Sequence, residues 1–371
     1  MLFERVAIEA LGFVLPPQVV CSASLEGQLA PTYQRLKLPE GRLELMSGIR
    51  QRRFWPAGTS IAAPSVRSAR LALEASHIAP QDVGCLIHAS VCRDYLEPAT
   101  ACRVHAELGL SSNCSVFDLS NACLGLLSGM TQIACMIEQG VIRAGIVVGT
   151  ESARNLVEST IAALNADPTV TRQSLKPSFA SLTIGSGSCA ILLVDRRLSQ
   201  TDNRLLSSVA RAECQHHQLC QSDSDQAGSG MQPLMQTDSE QLLHAGIAVG
   251  ARTFEQLRAS QATGQGWDAS VCHQVGATHR RMMLNELGLA EHKDFSTFGW
   301  LGNTGSVALP TALALGLKSG ALAAGSRIAL LGIGSGINSV MMSTHWPQPL
   351  VAGDWDENAR QNLQLDSVAA G

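Results

Sequence analysis

Short apolar runs alternate with longer stretches of helical periodicity along most of the chain. That alternation predicts an α/β protein, because a buried strand reads as an unbroken apolar run and a helix packed over it shows one apolar face. The runs Cys85 to Ser90, Ser115 to Leu119, Gly145 to Val148 and Cys189 to Val194 predict buried strands, as do Arg327 to Gly332 and Ser339 to Ser343. The clearest helix is predicted from Cys123 to Gln139, with Leu124, Leu127, Ala134 and Ile137 on one face. Gly125 and Gly129, spaced one turn apart, would let another element approach that helix closely. The stretch from Val307 to Ala324 is interrupted by Pro310, Gly316, Lys318, Ser319 and Gly320, so it predicts a packed core helix and not a membrane span.

Periodicity fails between Gln215 and Ser239, where Gly228, Ser229 and Gly230 sit in a polar stretch, and a long loop or mobile insertion is expected there. Pro347 to Gly371 is polar and irregular and reads as a surface tail with one short helix around Glu357 to Leu363. The expected organisation is an N-terminal half over 1–200, a C-terminal half over 201–346 and the tail over 347–371. The halves share a strand, a tight turn holding a small polar residue, and an apolar helix. The pattern occurs at Phe117-Asp118-Leu119-Ser120-Asn121-Ala122-Cys123 and at Trp300-Leu301-Gly302-Asn303-Thr304-Gly305-Ser306, which points to internal duplication.

At 371 residues the chain can bury a sizeable core in either one duplicated domain or two. A formal charge of -4 without a Lys/Arg tract argues against nucleic acid or an anionic membrane surface as the main partner. No secretory signal is evident, so a cytoplasmic protein is expected. The 11 cysteines, an odd number without a C-x-x-C pair, read as reduced thiols. Cys214-Gln215-His216-His217-Gln218-Leu219-Cys220 is rich in ligand types but lacks zinc-site spacing, and no metal is expected. Arg280 and Arg281 after His279 read either as a receptor for a phosphate or acidic carrier protein or as solvated surface.

Cys123 stands where a strand gives way to an apolar helix. A helix N-terminus favours the thiolate, so a lowered thiol pKa and a nucleophile's role are expected; the competing reading is a small buried apolar residue. His273 follows the apolar Ala269-Ser270-Val271-Cys272 at the edge of a loop, where an imidazole can exchange protons near neutral pH or sit satisfied in the core. Asn303 is either a turn residue or an amide donor to a developing oxyanion. Gly332-Ile333-Gly334-Ser335-Gly336 offers backbone N–H groups after a strand, as an oxyanion cradle or a simple bend. Neither a helix nor an acidic residue follows it as in a dinucleotide site.

In order and context, Gly48-Ile49-Arg50-Gln51-Arg52-Arg53, Asn121-Ala122-Cys123, His273-Gln274, Gly302-Asn303-Thr304-Gly305-Ser306 and Gly332-Ile333-Gly334-Ser335-Gly336 agree with one family. The chain resembles the β-ketoacyl-acyl carrier protein synthase III branch of the thiolase superfamily, up to about Trp346. Within that branch Arg93-Asp94-Tyr95-Leu96-Glu97-Pro98 and the N-terminal segment are most similar to the OleA group, which condenses two fatty acyl thioesters head to head. The resemblance implies the thiolase fold, two duplicated α/β halves in five αβαβα layers, paired as a homodimer. It implies that Cys123 carries the first acyl group, and that His273 and Asn303 donate to the second thioester oxygen as its enolate forms. Backbone N–H groups of Cys123 and Ser335, with Gly336 keeping the loop tight, would form the oxyanion hole. Acyl-CoA thioesters would be substrates, with an acyl carrier protein as an alternative acyl partner and no resident cofactor.

Glu97 separates two reactions. Ordinary synthase III enzymes have an apolar residue there and obtain their carbanion by decarboxylating a malonyl group, so they need no base. Without decarboxylation an α-proton must be removed, and a carboxylate in an apolar pocket with a raised pKa can take it. The resemblance implies that Glu97 reaches into the partner's active site; the plain reading is a surface carboxylate before a turn proline. Arg42 stands where synthase III sequences commonly carry an adenine-stacking Trp, so stacking by that residue is not expected. The alternatives to head-to-head condensation are a malonyl-using synthase III, a thioesterase-like hydrolase and a non-catalytic paralogue.

Overall fold

The computed structural model describes residues 1–222, 234–261 and 266–369. Chain order begins with β1 (Val6–Val14) and a small antiparallel pair, β2 (Gln18–Cys21) and β3 (Gln51–Phe54). Parallel strands β4 (Cys85–Ala89), β5 (Ser115–Leu119) and β6 (Ala144–Glu151) follow, then antiparallel β7 (Gly187–Asp195). The second set comprises β8 (Arg204–Ala212), the short pair β9 (Cys220–Ser222) and β10 (Met235–Thr237), β11 (Ala269–Cys272), β12 (Arg327–Gly334) and β13 (Asn338–His345). A final β14 (Val351–Ala352) pairs in parallel with β1.

The sheet order exposes the duplication. One set runs β1-β7-β6-β4-β5 and the other β8-β13-β12-β11, joined through the pairing of Ala7 with Arg204. In each, antiparallel neighbours give way to parallel ones in the same sequence. Where the second set shows no counterpart of β5 among the described residues, a parallel bridge links Ser270 to Asp294. The connections that follow also match: a 3-10 turn, Ala122–Leu124 or Gly305–Val307, leads into a helix, Gly125–Glu138 or Ala308–Ser319.

Alternation along the strands builds the layers, because successive side chains point to opposite faces. Ile87, Ile191, Leu330 and Met342 join a central core with Leu127, Ile133, Leu313 and Leu315 of those two helices. Leu86, Ile146 and Leu192 point the other way, onto Val66 and Leu73 of helix Ala62–Ala75 and Val104 of helix Thr100–Leu108. On the far side Leu331 and Met341 meet Phe254 of helix Ser239–Ala259 and Leu284 of helix Ala277–Leu287. The result is the expected αβαβα order. A Cβ at Gly129 would lie 2.5 Å from Val147 Cγ2, and one at Gly125 3.1 Å from Ala89 O, so both glycines admit the close approach expected of them.

Several expectations change. The helix expected from Cys123 begins at Gly125, with Cys123 in the 3-10 turn before it. The stretch from Gln215 to Ser239 is not wholly a loop: β9 and β10 pair there, and Gly228, Ser229 and Gly230 lie outside the described residues. The segment after Trp346 is not a free tail. It carries β14, its helix spans Glu357–Ala369, and Asp356 receives a bidentate pair from buried Arg53 at 2.8 and 2.7 Å. Val307 to Ala324 contains the helix Ala308–Ser319, buried from Ala308 to Leu317 and exposed at its last two residues. No helix among the described residues is long and apolar enough to cross a membrane.

Candidate active site

The two equivalent turns face each other, and a cavity of about 450 Å³ opens between them. Cys123, His273, Asn303 and Ser335 all line it, although they come from four different connections. Cys123 follows Ala122, which holds a left-handed φ of 44°, a conformation that costs a residue with a Cβ about 1–2 kcal/mol. The turn is bound on both sides: Asn121 Nδ2 donates to Ser128 Oγ at 2.9 Å, and Asn338 Nδ2 donates to Asn121 Oδ1 at 3.2 Å. Asn338 therefore ties the thiol's turn to the glycine hairpin between β12 and β13.

The thiol is not activated in the resting protein. Burial pushes Cys123 up to about 12, with smaller contributions from the Cys220 thiol and the Glu151 carboxylate nearby, which outweighs the helix-terminus effect expected from sequence. Alkylation of Cys123 by iodoacetamide, followed by peptide mass spectrometry, is accordingly expected to quicken about tenfold per pH unit between roughly pH 7 and 10. A plateau below that range would mean that the helix terminus dominates after all.

His273 follows β11, its backbone N–H donating to Leu331 O at 3.0 Å. Burial, reinforced by neighbouring His279, lowers its pKa to about 4, so it is a neutral imidazole at physiological pH. Its buried Nδ1 has no hydrogen-bond partner among the described residues. Gln274 fixes the loop, accepting from Thr297 N at 2.7 Å and Phe298 N at 3.1 Å and donating to Cys272 O at 2.6 Å. Asn303 holds its own turn through its side chain. Its Oδ1 accepts from Gly305 N at 3.0 Å, which directs its amide nitrogen away from that turn bond. Its backbone is pinned by Asn303 N to Thr183 O at 3.0 Å and Gly185 N to Asn303 O at 2.8 Å.

The arginine stretch supports this turn from below. Arg52 is wholly buried and donates to Ser22 Oγ and Leu182 O at 3.0 Å each, bracing the segment that holds Asn303. The glycine run is strand as far as Gly334 and then a hairpin turn. A Cβ at Gly332 would lie 2.5 Å from Leu127 Cδ1, and Gly334 lies over the Cys123 backbone, 3.6 Å separating a Cβ there from Cys123 N. Gly336, at φ 131°, closes the turn behind Ser335 and does not itself line the cavity.

Glu97 is exposed and lies outside this cavity, on the loop after β4. Within one chain it lies on the surface before Pro98 and not in the apolar pocket expected for it. Its loop is firmly held: Asp94 accepts from Ile61 N at 2.5 Å and Ala62 N at 3.1 Å, and Asp118 accepts from Thr100 N and Ala101 N at 2.8 Å each. Sequence reading missed Glu151, a buried carboxylate in the cavity wall, and the cavity thiols Cys92, Cys220 and Cys272. Only the apolar run ending abruptly at Thr150-Glu151 marked that carboxylate in sequence. Cys220 faces the cavity, and among the described residues no three His, Cys, Asp or Glu side chains converge as a metal group.

Comparison with known proteins places this arrangement. The acyl-CoA:acyl-CoA alkyltransferase of Shewanella oneidensis is 41% identical over 355 residues, covering 93% of this chain and 100% of the relative. The chain belongs to the OleA family of acyl-CoA:acyl-CoA alkyltransferases. The Xanthomonas campestris OleA-family alkyltransferase is 35% identical over 349 residues, again covering 93% of this chain and all (100%) of the relative. A crystal structure of Xanthomonas campestris OleA with bound lauric acid and lauroyl-CoA superposes with a TM-score of 0.86 at 34% identity, covering 93% of this chain and 100% of that one. Residues 257–346 also match the model of the 3-oxoacyl-[acyl-carrier-protein] synthase III C-terminal region, as the OleA family's thiolase fold requires.

Proposed function

We propose that this protein condenses two fatty acyl-CoA molecules head to head, without decarboxylation, to a 2-alkyl-3-oxoacyl thioester. The observation that carries the reading is one cavity, largely apolar, lined together by a thiol, an imidazole whose Nδ1 has no partner among the described residues, and an amide oriented by its turn. Leu242, Leu243, Gly246, Ile247 and Met283 line it and suit an acyl chain. In the first step Cys123 sulfur bonds to the acyl carbonyl carbon, the bond to coenzyme A sulfur breaks, and the thiol proton leaves with that sulfur. The N–H groups of Cys123 and Ser335 stabilise the tetrahedral oxyanion.

In the second step a base takes an α-proton from the second acyl-CoA. His273 and Asn303 donate to the thioester oxygen as it gains enolate charge, and a neutral imidazole can donate without first releasing a proton. The α-carbon then bonds to the carbonyl carbon on Cys123, and the carbon–sulfur bond breaks. The departing thiolate regains the proton that the base removed. Both steps balance with acyl thioesters and side chains alone, so coenzyme A enters as part of the substrates.

Glu97 is the proposed base, supplied by the second subunit of a homodimer. Edge strand β5 and the nearby loop support that arrangement: Val91, Tyr95, Leu96 and Phe117 are exposed apolar residues flanking Glu97 in the fold. We place the enzyme in the cytoplasm, consistent with its free cysteines. An acyl carrier protein remains an alternative carrier of either acyl group.

Incubation of the purified chain with lauroyl-CoA alone, followed by mass spectrometry, is expected to yield a doubled-chain β-keto product. Product formed only with a malonyl thioester, together with carbon dioxide, would establish a synthase III instead. Laurate without a new carbon–carbon bond would establish a hydrolase.

A further inference from the structure

Glu151 ends β6 with 4% of its surface exposed, inside the wall of the Cys123 cavity. Its carboxylate is engaged by this chain's own donors. Oε1 accepts from Ser306 Oγ at 2.6 Å, Val91 N at 3.0 Å and Ser306 N at 3.3 Å, and Oε2 accepts from Cys92 N at 3.2 Å. These donors belong to two functional segments. Val91 and Cys92 open the loop that carries Glu97, and Ser306 belongs to the turn that carries Asn303. The turn also packs on the carboxylate, since a Cβ at Gly305 would lie 3.1 Å from Glu151 Cγ.

We propose that Glu151 is a positioning residue that sets the Asn303 donor of its own active site and the loop delivering Glu97 to the partner's site. Donors converge on it from both segments, and an acceptor-only group satisfies all of them, whereas an amide would turn N–H groups toward an N–H. The same saturation separates Glu151 from a base. Oε1 already accepts three hydrogen bonds and Oε2 one, so both oxygens are directed at this chain's own N–H and O–H groups. The loop arm of this inference rests on the Glu97 reading above; the Asn303 arm does not.

The test compares wild type, Glu151→Gln and Ser306→Ala as full-length proteins. Hydrogen exchange in Glu151→Gln is expected to quicken in segments 91–99 and 303–306 and to stay unchanged in the central helices. Cys123 acylation by lauroyl-CoA should not slow, since losing the Glu151 charge removes one of the groups that disfavour the Cys123 thiolate, while condensation kcat falls on the order of 10²-fold, as for a donor displaced by about 1 Å. Ser306→Ala removes only the shortest bond and should show the same split in milder form, which carries the test if Glu151→Gln does not fold. The acid limb of the kcat–pH profile should keep its wild-type position. Unchanged exchange in both segments, unchanged condensation, or disappearance of the acid limb in Glu151→Gln would each overturn the proposal. If Glu97→Gln condenses like wild type, the base assignment fails by itself, and Glu151→Gln must still slow condensation through the Asn303 arm.

Discussion

Cys123→Ala is expected to stop turnover at its first step, with no acyl adduct on the protein and acyl-CoA consumption reduced on the order of 10³-fold or more. The size of the effect follows from covalent catalysis. Without the sulfur there is no acyl-enzyme, and the remaining donors cannot bring two acyl-CoA molecules through one tetrahedral centre. Intact-mass spectrometry after exposure to lauroyl-CoA reads the adduct directly. Three other thiols line the same cavity, so the adduct site must also be mapped by peptide. Burial raises Cys92 and Cys272 as it raises Cys123, but Cys92 Sγ is held by Ser152 O and N at 3.7 and 3.4 Å and Cys272 is only 3% exposed, which makes both poor substitutes. An adduct on Cys220 in the variant, with turnover retained, would sink the assignment of Cys123.

Glu97→Gln is expected to separate the two steps. Acylation of Cys123 should proceed as in wild type, because nothing in that step uses Glu97, and carbon–carbon bond formation should fall by about 10²–10⁴-fold, the usual contribution of a positioned base. Gln keeps the shape and removes the basicity. The subunit exchange in this reading has its own signature. A mixture of Glu97→Gln and Cys123→Ala chains, refolded or co-expressed so that subunits scramble, forms mixed dimers in which one site has both Cys123 and Glu97. About a quarter of wild-type activity should return, from half of the dimers with half of their sites intact. No recovery on mixing would place Glu97 in its own chain's site or outside the chemistry. Condensation unaffected by Glu97→Gln would remove the base from this residue altogether.

The comparison between Glu97 and Glu151 shows where sequence reading was strong and where it failed. Glu97 was legible because it departs from the apolar residue of the synthase III pattern. Glu151 was not, because a glutamate at the end of an apolar run looks like a strand reaching solvent. Only the approach of Val91, Cys92 and Ser306, from segments up to 155 positions away, makes it a buried anchor. Cys123 illustrates a different failure. Its helix terminus was legible, but the desolvation that controls its thiol comes from tertiary burial, in which segments of both halves wall its cavity. The residues after Trp346 failed for a similar reason. They are polar in composition, and it is buried Arg53, far away in sequence, that gives Asp356 its place.

The sequence by itself determined most of the strands and helices, because their apolar periodicity is local. It singled out Cys123, His273 and Asn303 by their turns, but only the resemblance to a known family chose a catalytic role for each over a core or turn role. It also disclosed the duplication, since the same turn pattern occurs at Cys123 and Asn303. Tertiary structure alone decided that these turns face one cavity, that the thiol rests protonated, and that Glu151 joins the Asn303 turn to the Glu97 loop. Burial and hydrogen-bond satisfaction are properties of what packs around a group, and in this fold the packing partners come from segments distant in sequence, in both halves of the chain.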